Sequence, residues 1–262
     1  MSYPLNGHGH RHPPLSVELA RTPEDVRASQ LLRYQVFARE QGATLESGAE
    51  GLDRDYYDKY CHHLLVRETD SGRVVGSTRI LTTPNARDAG SFYSENEFDL
   101  SLMFPRLLGN AIEVGRTCID PAYRNGPGIS MLWKGLSQFM EANQTHYLFG
   151  CASVSMRDGG AQAAAIMARA RKENMSPEKY RVTPRVRMLP TVAAPEVTGM
   201  PTLLRAYLKL GAWVAGEPCI DPDFNTADFF VLLDTKRLNK RYHRFFTQTQ
   251  QTDRFGATAA VM

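Results

Sequence analysis

The chain has no long apolar run. None of its 262 residues belongs to a stretch near the roughly 20 apolar residues that a membrane-spanning helix needs. The opening MSYPLNGHGHRHPPL has no apolar core of the export-signal type. A cytoplasmic protein is the expectation. Cysteine is sparse: Cys61, Cys118, Cys151 and Cys219 form no C-x-x-C pair. Free thiols in a reducing compartment are expected, and no metal site. Charge of one sign is also scarce, at +3 net, so its distribution matters more than its total. No internal repeat is evident, which sets aside solenoids. His8, His10 and His12 alternate in a Gly/Pro-rich start. Residues 1–15 are read as a mobile segment, 16–246 as one domain and 247–262 as a polar, mobile tail.

What is present is alternating strand and helix. Residues 16–20 read as a strand. Thr22-Pro23-Glu24-Asp25 is a helix start, with a capping threonine, proline at the first position and acids in the first turn. Val26, Leu31, Leu32, Val36 and Phe37 continue it near helical spacing. Residues 41–60 form a polar loop. Residues 61–68 and 73–82, around Asp70-Ser71-Gly72, read as a hairpin. A short helix is expected over 98–108. Strands follow at 111–119, 147–154, 182–189, 212–217 and 228–234. Helices are expected over 128–143, near 161–171 and over 202–210. Spacing of the βαβ kind is irregular, so the fold class is α/β (α+β), a mixed sheet with helices on both faces.

The strand at 111–119 is unusual. It carries Glu113 and Arg116 inside an apolar run. Residues three apart point oppositely in a regular strand. Gly115 lies between them, and a bulge there would turn both charges to one side. Read from the residues alone, the two are either a buried ion pair or reactive groups.

The segment that follows, Asp120-Pro121-Ala122-Tyr123-Arg124, then a glycine turn and an amphipathic helix, resembles the acyl-carrier-binding element of GNAT N-acyltransferases. The resemblance implies a GNAT-type mixed sheet with splayed central strands. In that fold the turn and the helix N-terminus hold phosphate on unpaired N–H groups. Arg124-Asn125-Gly126-Pro127-Gly128 reads R-x-G-x-G, a departure from the family's R/Q-x-x-G-x-G/A. A single phosphopantetheine phosphate needs less of a cradle than a coenzyme A pyrophosphate. Further stretches are similar to acyl-homoserine-lactone synthases: Arg33-x-x-Val36-Phe37, Asp55-x-x-Asp58, Val75-Gly76-Ser77-Thr78-Arg79 and Glu113-Val114-Gly115-Arg116. YDKYCHHLLV, FYSENEFDLS, LLRAYLKLGA and DPDFNTADFFVLLD extend the resemblance to ornithine N-acyltransferases of ornithine-lipid synthesis, the hemolysin-like group.

That resemblance implies transfer of a (3-hydroxy)fatty acyl group from acyl carrier protein to the α-amine of L-ornithine, with no permanently bound cofactor. Glu113 would be the base, directly or through water, and otherwise a partner of Arg116. Arg116 and Arg79 would clamp the amino-acid carboxylate or order an acid cluster. Asp55 and Asp58 would bind a side-chain ammonium, or serve only as loop caps. His63 is a hydrogen-bonded core histidine or a catalytic one. Asn225, Thr226 and Asp228 form a polar substrate wall or a plain turn. Tyr207, in a Y-x-x-x-G element, would protonate the leaving thiolate or simply pack its helix.

Two basic runs suit an acidic carrier protein or an anionic inner-membrane surface. Arg169, Arg171, Lys172, Lys179, Arg181, Arg185 and Arg187 stand against Glu173 and Glu178, seven minus two, net plus five. Lys236, Arg237, Lys240, Arg241 and Arg244 form the second run. No nucleic-acid-reading motif accompanies them. The rival readings are a synthase with another amine acceptor and a non-enzymatic, membrane-active protein.

Overall fold

The computed structural model describes residues 13–124, 127–189 and 199–238. Of the segments read as mobile, 1–12 with its three histidines and 247–262 lie outside the described residues, while Leu15, at the end of the first, begins a strand. In chain order the elements are β1 (Leu15–Leu19), α1 (Pro23–Tyr34), β2 (His62–Glu68), β3 (Val74–Thr82), α2 (Thr83–Ala89), β4 (Phe98–Asp99), β5 (Asn110–Ile119), α3 (Gly128–Ala142), β6 (Thr145–Ser155), α4 (Ala161–Glu173), β7 (Thr183–Pro184), α5 (Thr202–Leu210), β8 (Trp213–Val214), β9 (Cys219–Asp221) and β10 (Thr226–Asp234). They fall into two compact units, 13–81 with 114–144 and 82–113 with 145–238. The chain passes from one to the other within β5.

In the first unit the strand order is β1-β2-β3-β5, with β1, β2 and β3 antiparallel. Thr22 starts α1 by accepting from Asp25 N at 3.2 Å, while the Asp25 carboxylate accepts from Thr22 N. This reciprocal capping satisfies two of the helix's open donors. A wider π-turn, Gln35–Glu40, extends the helix. Leu65 packs with Leu32 and Val36 on the α1 side. A Cβ on Gly135 of α3 would meet its neighbour Leu64 at 3.0 Å. Adjacent strand residues point to opposite faces, so α1 and α3 cover opposite faces of β2.

In the second unit the first half of β5 runs parallel to β6, and the ladder stops at Glu113 opposite Phe149. β6 continues antiparallel to β10, which also carries β8 and β9. Phe98, Phe149 and Phe230 form the aromatic core, with ring centroids 5.5 Å apart in both Phe98–Phe230 and Phe149–Phe230.

Three expectations change, and two elements are new. The helix over 98–108 is instead β4 plus a 3₁₀ turn at Phe104–Arg106. Pro105 lacks the amide a longer helix needs, and Asp99 ties itself to Ser101 N. The strand over 182–189 is only β7: Arg185 N bonds Glu97 O, and Ile220 N bonds Val186 O, as single stitches rather than a ladder. The strand over 212–217 shortens to β8. Helix α2 and strand β9 were not anticipated. Thr82 caps α2, Pro84 opens it and Gly90 closes it at φ 89°, all of which are ordinary sequence signals.

Candidate functional site

In the first unit, three arginines and three aspartates share one buried network. Asp53, Asp55 and Asp58 sit in the loop before β2. Arg33 comes from α1, Arg79 from β3 and Arg116 from β5. Arg33 Nε is 2.9 Å from Asp53 Oδ2, and its Nη1 is 2.7 Å from Asp58 Oδ1. Arg79 Nη1 reaches Asp55 Oδ1 at 2.5 Å and Asp58 Oδ1 at 3.1 Å. Arg116 lies farther off, with Nε 3.3 Å from Asp53 Oδ2 and Nη2 3.5 Å from Asp55 Oδ2. Asp58 also accepts from Gln30 Nε2 and from Asp55 N. A polar loop therefore contains buried acids because each faces an arginine, as buried charges require.

The electrostatics follow from this pairing. Burial alone would raise the Asp58 carboxyl, but Arg33 and Arg79 outweigh it and hold it well below the usual range. Asp55 is likewise lowered, by Arg79 and then Arg116, against its burial. His63 hydrogen-bonds Asp58 O through Nε2 at 3.0 Å, and its buried Nδ1 has no hydrogen-bond partner. Burial pushes His63 down to about 4, with Asp58 opposing. Near pH 7 the His63 ring is therefore neutral. Asp58 is not free for a ligand cation, because the chain supplies two.

Beside Gly115, where a bulge was expected, the unusual backbone falls one residue on. The left-handed conformation belongs to Arg116 itself, at φ 50°. A non-glycine residue there costs about 1–2 kcal/mol, and such strain clusters where geometry matters. Arg116 is also the most solvent-exposed arginine of the three, its side chain at 13% against 0% for Arg33 and 4% for Arg79.

In the second unit, Glu113 ends the parallel ladder with 4% of its surface exposed. Tyr93 N donates to Oε2 at 2.7 Å and Ser94 N to Oε1 at 2.8 Å, with Ser94 Oγ also donating to Oε1. The carboxylate is anchored by the 3₁₀ turn of FYSENEFDLS. Tyr207 lies on α5 at 3% exposure, and burial raises its hydroxyl above the ordinary tyrosine range. Asp228, on β10, accepts from Thr226 Oγ1 at 3.0 Å and lies beside Glu97 and Cys151. Asn225 takes φ 51° in the turn before it.

The loop after β5 is fixed at its base. Arg73 bridges Glu68 and Asp120, and the Tyr123 hydroxyl donates to Glu68. Arg124 Nη2 is 2.6 Å from Glu40 Oε2. Asn125 and Gly126 lie outside the described residues. At Gly128 a Cβ would meet Ile119 Cγ2 and Tyr123 O at 3.0 Å each, so close packing already demands glycine. Helix α3 starts without a side-chain cap or an acid in its first turn, which leaves its N-terminal dipole for an anion.

Sequence reasoning missed Asp53, Ser94, Glu97 and Cys151. Asp53 belongs to an Asp-x-Asp-x-x-Asp run whose density was a usable signal. Glu97 looked like one acid among several in a polar stretch.

The family model described as "Acetyltransferase (GNAT) domain" matches residues 32–134, which hold all six members of the charged network. A solved CoA-dependent acyl-homoserine lactone synthase, with SAM and isopentyl-CoA, is similar at a TM-score of 0.54 and 14% identity, covering 95% of this chain and 93% of that one. The chain is a GNAT-type acyltransferase. An L-ornithine N(alpha)-acyltransferase of Rhodobacter capsulatus is 34% identical over 90% of this chain and 96% of its own length. Another, of Brucella abortus, is 32% identical over 88% of each. The chain belongs to the L-ornithine N(alpha)-acyltransferase family.

Proposed function

We propose that this chain moves a fatty acyl group, of the 3-hydroxy type, from acyl carrier protein to the α-amine of L-ornithine, the first step of ornithine-lipid synthesis. The observation that carries this reading is the 34% identity to an L-ornithine N(alpha)-acyltransferase, extending over 90% of the chain. The charged network supports an amino-acid acceptor. Arg33 and Arg79 are buried supports, and Arg116, strained and looser in its pairing, is the guanidinium that meets the acceptor carboxylate. Asp55 and Asp58 hold Arg79 and Arg116 in place, and His63 props Asp58. In this reading the aspartates act as scaffolding for the arginines rather than as ammonium ligands or loop caps.

The chemistry then runs as amide formation from a thioester. The α-ammonium loses a proton to Glu113, directly or through water. The amine nitrogen attacks the thioester carbonyl carbon and the C–S bond breaks. The departing thiolate gains a proton from Tyr207, and the nitrogen's second proton passes through water to the Tyr207 oxygen, restoring the phenol. Arg124, Asn125, Gly126 and Gly128, with the α3 N-terminus, receive the carrier's phosphopantetheine phosphate. No cofactor is held between turnovers.

The carrier protein is the proposed partner, at the cytoplasmic face of the membrane into which the product passes. No helix among the described residues is long and apolar enough to cross a membrane. Glu113→Gln tests the base directly. It keeps the shape but cannot take a proton, and its single amide oxygen can accept from only one side of the 93–94 turn. Transfer is expected to fall about a hundredfold or more while the variant still folds, with its melting temperature lowered by the lost acceptor. Transfer within a few-fold of wild type removes Glu113 from that role.

A further inference from the structure

We infer that Glu97 and Asp228 bind the distal ammonium of a diamino-acid acceptor. The inference rests on the acyltransferase reading above and deepens it, because it assigns the selection of ornithine to residues outside the charged network. Glu97 follows the 3₁₀ turn that anchors Glu113, Asp228 lies on β10 and Cys151 on β6. A carboxylate oxygen of each acid and the Cys151 Sγ all lie within 4.8 Å of one another. Both acids are buried, Glu97 at 9% exposure and Asp228 at 4%.

The contrast with the first unit carries the argument. There every buried aspartate faces an arginine. Here, among the described residues, neither acid makes an ion pair with lysine, arginine or histidine, and Glu97 Oε2 is buried with no hydrogen-bond partner. Asp228 has hydroxyl help from Thr226 and Ser153 and shares a hydrogen bond with Glu97 itself. Asp221, on β9, adds a third negative charge nearby. Two buried carboxylates without a counter-cation are costly. Burial first, then the charge of Asp228 on Glu97 and of Asp221 on Asp228, raises both carboxyls above the ordinary range. A primary ammonium supplies the missing charge and three donors for the oxygens that lack them. A metal ion fits less well. Burial and the two acids keep Cys151 a thiol, whereas a metal takes the thiolate.

The test uses two acceptors of equal carbon length, L-ornithine and L-2-aminopentanoate, which lacks the distal amine. Wild-type protein is expected to favour ornithine. Asp228→Asn and Glu97→Gln should each raise the KM for ornithine about tenfold or more, the loss expected of one charge-assisted hydrogen bond. The constants for aminopentanoate should stay unchanged. Efficient transfer to ornithine with the ratio of the two acceptors unaltered in both variants overturns the inference and leaves the acyltransferase reading standing. If neither variant folds, the wild-type ratio decides, and equal use of both acceptors overturns the inference. Activity lost on chelation and restored by a divalent cation also overturns it, in favour of a metal at the same three side chains. No transfer to either acceptor overturns the functional reading and takes the inference with it.

Discussion

Arg33 is fully buried, so its guanidinium has exchanged bulk water for Asp53 and Asp58. Geometry this complete is what a buried ion pair needs to offset desolvation. His63, packed beneath Asp58, gives the network a measurable acid sensitivity. Its folded value of about 4 lies below the ordinary 6.5. The unfolded chain therefore takes up the proton first as pH falls. Stability should be full above about pH 6.5 and decline toward pH 4, by about 3 kcal/mol in all. Asp58 and Asp55 are lowered below the ordinary 3.8, so their contribution is lost only at more acid pH. Urea unfolding of wild type and His63→Gln at pH 7, 5.5 and 4.5 checks this. The variant should show a flatter profile over that window, and parallel profiles would remove His63 as the cause. At this scale the sequence was half legible. Asp55, Asp58, Arg79 and Arg116 stood out as charges beside apolar strands. Their mutual pairing did not, because it joins residues up to 63 positions apart, from Asp53 to Arg116.

The elements were more legible, since their signals are local. Thr22 and Pro23 fix the start of α1, and Gly211, left-handed at φ 103°, closes α5. The errors came where a tertiary constraint intervened. Arg116 takes the positive φ that glycine would adopt more easily, and the 98–108 segment follows Pro105 rather than its apolar spacing. Close approach of α3 to the sheet gives a test of packing. A Cβ at Gly135 would lie 2.4 Å from Val17 Cγ2 and 3.0 Å from Leu64 Cδ1. Alanine improves helix propensity by about 1 kcal/mol, yet overpacking a filled core costs about 1–3 kcal/mol. Valine is stiff at its only side-chain torsion, so the clash should win. Gly135→Ala is expected to lower the unfolding free energy by about 1 kcal/mol in urea titration. A more stable variant would mean that α3 shifts without cost.

For the whole molecule, the charge pattern read from the sequence is partly neutralised. Arg169 pairs with Glu173 at 2.9 Å and Arg171 with Glu217 at 2.6 Å. Arg237 stacks on Trp213 with its guanidinium carbon 3.8 Å from the ring centroid. Lys240, Arg241 and Arg244 lie outside the described residues. Basic patches that survive this pairing suit an acidic carrier through encounter rate more than through affinity. The class of fold and the family were legible because matching stretches recur in order along the chain. The pairing of Glu97 with Asp228 was not, because it joins residues 131 positions apart. The proposed activity is transfer to one particular nitrogen of one amino acid. The most direct measurement is fragmentation mass spectrometry of the product formed by purified protein from 3-hydroxyacyl-acyl carrier protein and L-ornithine. The account predicts a single amide on the α-nitrogen with the side-chain amine free. An amide on the side-chain nitrogen, or no amide while another amino acid is acylated, would contradict it.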